Sequence, residues 1–422
     1  MMIVRIISLA LVFNTIASLR SAANDRPYAI HENKDCSSLY QYRDSDTFKQ
    51  NKYNYRAKIE QLIDLTKTEC YRNDRNIQKL INTFLSYYYS FINEDDSAKY
   101  YNELHLARTG GAESEPDVAI ELKDIISSAY EADQQFFDSL VRETPIIMLN
   151  EAHHLSIHRD IARMFLCYLR SNGFKYFAVE GLWPAVGAKF NPVPGYRDGY
   201  YLQSRAYVNL ILEAQKLGYQ IIRYEDTTQG DFINREKRQA ENIYRQTFER
   251  DPDAKVFVYC GYDHIKSDSG RVLHTAWFLK KLTGYTPLSF RQTRYYDHYF
   301  KEANPIGFDR VKNYYNNEKP FFVQVAGSNK SDFDVVIPNT SFKLFPGFNF
   351  SNHRMYTGSD VDNLLVFREH EYEQLGFNAI PVLNVRTAEL EPNETSTLEK
   401  GAYTLIRLDS SYRVVDKRKI GY

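Results

Sequence analysis

Between Pro145 and Leu182 the period of the apolar positions changes twice. Ile146-Ile147-Met148-Leu149 is a short unbroken apolar run, too short and too abruptly ended for a helix, and it reads as a buried strand. Ile157, Ile161, Met164, Phe165 and Tyr168 then recur at helical spacing and give one apolar face. Ser171-Asn172-Gly173 breaks that helix, and Tyr176-Phe177-Ala178-Val179 supplies a second strand. A strand, a crossover helix and a parallel strand need about 30 residues, so the stretch is expected to form a βαβ unit.

The alternation continues. Leu202–Leu217 reads as a helix, Tyr219–Tyr224 as a third strand, and Phe232–Glu249 as a helix with Ala240, Ile243, Tyr244 and Phe248 on one face. Lys255–Cys260 is a fourth strand, Val272–Leu282 the next helix, and Phe321–Val325 a further strand. Repeated βα units need cover on both sides of a sheet, so residues 141–422 are expected to be an α/β domain with a mainly parallel sheet and helices on both faces. Short runs such as Asp334–Ile337, Leu364–Phe367, Tyr403–Leu408 and Tyr412–Val415 predict a small β-rich C-terminal portion of that domain, which either extends the sheet or forms a small β appendage. Ahead of it, residues 24–140 read as a polar, mostly helical accessory segment, with helices at Lys58–Lys67, Asn76–Ile92 and Ala119–Leu140. Thr109–Pro116 is expected to be a loop, and the Pro- and Gly-rich stretch Trp183–Gly199 a substrate lid above the sheet edge.

Composition narrows the field. A net charge of −1 with no basic stripe argues against nucleic-acid binding. Arg5, the apolar run Ile6–Leu19 and the small residues Ser21-Ala22-Ala23 have the shape of a signal peptide spanning residues 1–23, which predicts a secreted or periplasmic protein. No later run is long enough to span a membrane. Of the four cysteines, Cys36 and Cys70 are close enough in sequence to pair, whereas Cys167 and Cys260 read as buried free thiols.

The candidate chemistry sits at the strand ends. The four strands run into Asn150-Glu151-Ala152-His153-His154, Glu180, Glu225-Asp226 and Gly261-Tyr262-Asp263-His264. In a parallel sheet, ligands bind beyond the carboxyl ends of the strands, so these clusters are expected to share a crevice. A histidine held against carboxylates can act as general base toward water, which makes His154 the candidate base, with Glu180 orienting it or His264. Arg235 is a candidate for stabilising an oxyanion or for binding a substrate carboxylate bidentately. The same Glu151, His154, Glu180 and His264 side chains suit a divalent metal. His153 and His158 read as solvent-facing, and Glu225 and Asp226 as turn acids.

Taken in order, Glu151-Ala152-His153-His154, Val179-Glu180 and Gly261-Tyr262-Asp263-His264 resemble the motifs of the superfamily that joins erythromycin esterases, ChaN-type haem-binding proteins and Tiki-type metalloproteases. The helix Asn234–Asn242, with Arg235, is similar to the arginine-bearing helix of its esterase-like members. The resemblance covers roughly residues 140–290. Asn150 stands where the superfamily carries a glycine, and the last motif is nearer the ChaN and Tiki form than the esterase form. The resemblance implies an exported hydrolase acting on an ester or amide in a small-molecule or peptide substrate, with Glu151, His154, Glu180, His264 and Arg235 as its site and a divalent metal as an option. The alternative it carries is a haem-binding protein without hydrolytic activity, for which the abundant tyrosines would serve as ligands or stacking partners.

Overall fold

A computed structural model describes residues 55–92, 94–109, 130–131, 134–184, 193–195, 197–227, 231–270, 272–295, 321–324, 332–336, 347–349, 363–386, 395–398, 400–409 and 413–421. The expected signal peptide, Cys36, the 110–116 loop and most of the expected lid lie outside them. The described chain opens with helices α1 (Tyr55–Thr66), α2 (Glu69–Asn73), α3 (Arg75–Phe91) and α4 (Asp95–Thr109). Strand β1 (Tyr130–Glu131) and helix α5 (Gln134–Val141) follow. The expected helix over 119–140 is therefore interrupted, because Tyr130 and Glu131 pair with a sheet edge instead.

The alternating core comes next: β2 (Ile146–Glu151), α6 (Ile157–Ser171), β3 (Tyr176–Val179), α7 (Arg205–Lys216) and β4 (Gln220–Arg223). It continues through α8 (Phe232–Gln246), β5 (Val256–Gly261), α9 (Thr275–Thr283) and β6 (Leu288–Tyr295). With β7 (Phe321–Gln324) and β8 (Asp332–Val336), these strands and β1 build one sheet in the order β1-β7-β8-β6-β2-β5-β3-β4. The five strands from β6 to β4 in that order are parallel, as expected of βα units. Two details differ from the sequence reading. The strand at 321–324 runs antiparallel to β8 rather than extending the parallel set. The fifth parallel strand is β6, whose charged residues Arg291 and Arg294 hide a buried face of Leu288, Phe290 and Gln292.

Side chains alternate across each strand. Ile147, Leu149, Phe177, Val179, Phe257 and Tyr259 pack on one face against α6 and α7 through Phe165, Leu166, Leu169, Val208 and Ile211. Ile146, Met148, Ala178, Val256 and Val258 pack on the other against α8 and α9 through Ala240, Ile243, Ala276 and Leu279. The sheet is thus covered on both faces.

Two satellites flank it. The N-terminal helices have their own core of Tyr55, Ile59, Leu62, Ile77, Ile81, Leu85 and Phe91. They reach the main domain through Asp95, whose carboxylate accepts from the Ser156 and Ile157 amides and so caps α6 in place of a local cap. Cys70 is disulfide-bonded, and Cys167 and Cys260 are free thiols, Cys260 buried and Cys167 exposed rather than buried as expected. At the C-terminal end, β9 (Gly347–Asn349) pairs with β12 (Thr395–Thr397). There β10 (Asn363–Arg368), β11 (Leu383–Arg386), β13 (Ala402–Leu408) and β14 (Val414–Gly421) form an antiparallel sheet in the order β11-β10-β13-β14. Helix α10 (Glu369–Leu375) links that sheet to the core, where buried Glu371 receives a two-pronged bond from Arg205 of α7 at 2.5 and 3.0 Å. No helix among the described residues is long and apolar enough to cross a membrane.

Candidate functional site

Strand β5 lies between β2 and β3, yet the chain leaves it toward the opposite face of the sheet. Helices α6 and α7, which follow β2 and β3, cover one face, and α9, which follows β5, covers the other. Neighbouring strands whose connections diverge in this way open a crevice at their carboxyl ends. The four ends along β2-β5-β3-β4 carry Glu151, Gly261, Glu180 and Glu225 in that spatial order. All four are buried or nearly so, so each carboxylate needs a partner.

Glu151 finds its partners under α6. Its carboxylate accepts from Arg159 Nε at 3.0 Å, from Tyr259 Oη at 2.6 Å and from His153 Nδ1 at 2.8 Å. Arg159 is completely buried and also donates to Ser204 Oγ at 2.9 Å and to the His153 carbonyl at 2.7 Å. Burial alone would raise the Glu151 pKa, but the Arg159 charge and the His153 bond bring it down to about 2. The His153 ring stacks on Tyr201 with centroids 4.4 Å apart, and its other nitrogen hangs over Gly261. A Cβ on Gly261 would lie 2.4 Å from His153 Nε2 and 3.2 Å from Glu180 Oε2, so only glycine admits both groups at this point.

The second half of the site is an alternating chain of charges. Glu180 accepts from the Gly261 amide at 2.5 Å, from Arg235 Nη2 at 3.2 Å, and faces His264 Nε2 at 3.3 Å. Arg235 also donates to Glu225 at 2.8 Å, and Glu225 in turn accepts from Gln239 at 2.9 Å and from the Gly181 amide at 3.1 Å. On its far side, His264 donates from Nδ1 to Glu236 at 2.8 Å, while the Thr275 amide and hydroxyl each donate to Glu236 at 2.7 Å. Burial would depress the His264 pKa, yet Glu236 and Glu180 raise it to about 10, so the ring is an imidazolium at neutral pH. Burial likewise pushes against ionised Glu180, but His264, His153 and Arg235 hold it well below the usual carboxylate range.

Glu151, Glu180, His264 and Arg235 therefore meet along one sheet edge, the last three in direct contact. His154 sits beside them, buried, with Nδ1 at 3.4 Å from Tyr262 Oη, and burial reinforced by the neighbouring histidines lowers its pKa to about 3. His153 and His158 are buried rather than solvent-facing, because His153 is bound to Glu151 and His158 Nδ1 accepts the Ala152 amide at 2.9 Å. Glu225 and Asp226 are more than turn acids: one holds Arg235 and the other pairs with Arg238 at 2.6 Å.

Sequence reasoning missed Arg159, Glu236 and Tyr259. A signal existed for each: Arg159 shares the apolar stripe of Ala162, Leu166 and Leu169, Glu236 that of Ala240 and Ile243, and Tyr259 the inward face of Phe257. A polar group on such a stripe has to be buried and paired.

A metal does not fit this arrangement. Both nitrogens of His264 are directed at carboxylates, Nδ1 at Glu236 and Nε2 at Glu180, and the Glu151 oxygens are taken by Arg159, Tyr259 and His153. Among the described residues no group of three or more His, Cys, Asp or Glu is placed to hold a metal ion. Fold and site together define an α/β protein with a buried Glu/His/Arg network at the switch point of its sheet. Neither models of known protein families nor curated proteins match this chain.

Proposed function

We propose that the protein is a metal-independent hydrolase of an ester or amide, with His153 as general base. The observation that carries this reading is the 2.8 Å bond from His153 Nδ1 to Glu151, with the ring's Nε2 directed over Gly261 beside Glu180. Donation from Nδ1 leaves Nε2 as the accepting nitrogen of the neutral ring. A water there loses a proton to Nε2 as its oxygen bonds to the substrate carbonyl carbon. The tetrahedral adduct then expels the alcohol or amine, which leaves with the proton held by His153. Glu151 stabilises the transient imidazolium, as the third member of a nucleophile–base–acid set does. Arg235, with its side chain 20% exposed, supplies fixed positive charge for the oxyanion. His154, kept neutral and buried, is assigned no proton transfer. The superfamily resemblance of the strand-end motifs supports the same class of reaction.

The test is a panel of p-nitrophenyl esters and chromogenic peptides with wild type, His153→Ala and His154→Ala. Loss of the base is expected to cost about 10²–10⁴-fold in rate, and His154→Ala much less. Equal turnover by wild type and His153→Ala, or no turnover by the wild type of any substrate, rejects the proposal.

A further inference from the structure

Three tyrosines surround the His153 ring: Tyr201 stacked on it at 4.4 Å, Tyr262 edge-on at 5.2 Å and Tyr87 edge-on at 6.5 Å. Tyr87 and Tyr201 are partly buried, whereas Tyr262 is 41% exposed. Tyr262 is also the only non-glycine residue with positive φ among the described residues, at 31°. A bulky side chain in that region is strained, and strain of this kind persists only where surrounding contacts impose it. Here they do. Buried Asn150, at the end of β2, donates from Nδ2 to the Tyr262 carbonyl at 2.7 Å and to Thr293 Oγ1 at 3.1 Å, while its Oδ1 accepts the Gln292 amide at 2.7 Å. Three bonds tie the tip of β2 to the turn after β5 and to two adjacent residues of β6, and this clamp holds the strained residue. An exposed aromatic ring gains little for folding by being forced into this position, so the position itself is what the arrangement secures.

The geometry points to Tyr262 as a specificity-determining residue whose ring receives a flat apolar or aromatic group on the acyl side of the scissile bond. This rests on the hydrolase reading, since it places the acyl group next to the His153 that activates water. The ring carries the role rather than the hydroxyl, which lies at 3.4 Å from buried His154 Nδ1 and so is turned inward. Asn150 acts as a positioning residue through the Tyr262 carbonyl, which accounts for an asparagine at the tip of β2.

The experiment compares kcat/KM for p-nitrophenyl benzoate and p-nitrophenyl acetate in wild type, Tyr262→Phe, Tyr262→Gly and His153→Ala. Wild type is expected to prefer benzoate. Tyr262→Gly lowers the benzoate-to-acetate ratio about tenfold, the scale of one aromatic pair, while Tyr262→Phe keeps the ratio within about twofold because the ring is retained. Melting is followed alongside: the glycine variant should melt no lower than wild type, since glycine takes a positive φ without strain. An unchanged ratio in Tyr262→Gly, an equal loss in the phenylalanine variant, or a markedly lower melting temperature of the glycine variant each overturns the inference. Those outcomes leave the hydrolase reading intact provided His153→Ala is inactive; if His153→Ala turns over both esters like wild type, it is the hydrolase reading that fails.

Discussion

Replacing His264 by glutamine removes an imidazole that contacts both Glu180 and Glu236. In the native protein His264 lies 2.8 Å from Glu236 and 3.3 Å from Glu180, with its side chain 12% exposed. Its pKa is raised from 6.5 to about 10. At about 1.4 kcal/mol per pH unit this corresponds to roughly 4–5 kcal/mol in favour of the protonated fold. The depressed pKa values of Glu180 and Glu236 express the same contacts and are not counted again. The sign follows from linkage. A group whose pKa is higher folded than unfolded stabilises fully below the unfolded value, and that stability drains away as pH rises toward the folded value. Urea unfolding of wild type and His264→Gln is therefore expected to differ most near pH 6 and to converge as pH climbs to about 10, with the wild type losing stability across that window and the variant lacking this loss. Titrating groups that do not contact His264 are common to both proteins and cancel in the difference, whereas Glu180 and Glu236 lose its charge in the variant and rise toward the ordinary carboxylate range. A difference that stays constant to within roughly 0.5 kcal/mol over the window would refute the buried imidazolium.

Two further perturbations probe the packing of the site and its anchorage. Gly261→Ala places a Cβ 2.4 Å from the His153 ring and 3.2 Å from Glu180, so the ring has to move, and kcat/KM should fall about 10²-fold with the circular dichroism spectrum unchanged; wild-type activity would show that the ring is not held where the mechanism needs it. Arg205→Met takes from Glu371, which is 1% exposed, its two-pronged partner and leaves it facing Arg368 at 3.8 Å, and should cost about 3–5 kcal/mol in urea unfolding, most of it recovered by adding Glu371→Leu; a single-variant cost below about 1 kcal/mol would mean that the pair does not join the C-terminal sheet to the core.

The fold was legible wherever the period of the chain was clean. Strands β2, β3, β4 and β5 carry near-continuous apolar runs because both faces are buried, and the helices between them carry one apolar stripe each. Strand β6 was not legible, since Arg291 and Arg294 break its apolar run while Gln292 serves its buried face. In the site, residues that follow strands directly were readable, because position after a strand fixes where they lie in a parallel sheet. Their partners were not, because pairing depends on register. His153 and His154 are adjacent in sequence, and nothing local decides which one turns toward Glu151; the Arg159 bond to the His153 carbonyl and the Asp95 cap on α6 decide it. Asp95 comes from a segment in which the sequence offered no chemistry, so the N-terminal helices help to shape the site they cover.

Charge balance separates a working site from an electrostatic staple. A staple buried at a sheet edge is best served by equal numbers of opposite charges, since any surplus is desolvated without return. Here Glu151, Glu180, Glu225 and Glu236 are carboxylates, and Arg159, Arg235 and protonated His264 are their cations: four against three, which leaves one negative charge over. The remaining partner is His153, bound to Glu151 through Nδ1. In the proposed mechanism a proton passes to its Nε2 while the negative charge moves to the attacking oxygen, so the side chains themselves come into balance as the oxyanion forms. Preorganised charge that favours the later state is what stabilises a transition state over a ground state. The imbalance therefore supports assigning the proton transfer to His153, the histidine whose second nitrogen is directed over Gly261 toward Glu180, rather than to His264, whose two nitrogens are both committed.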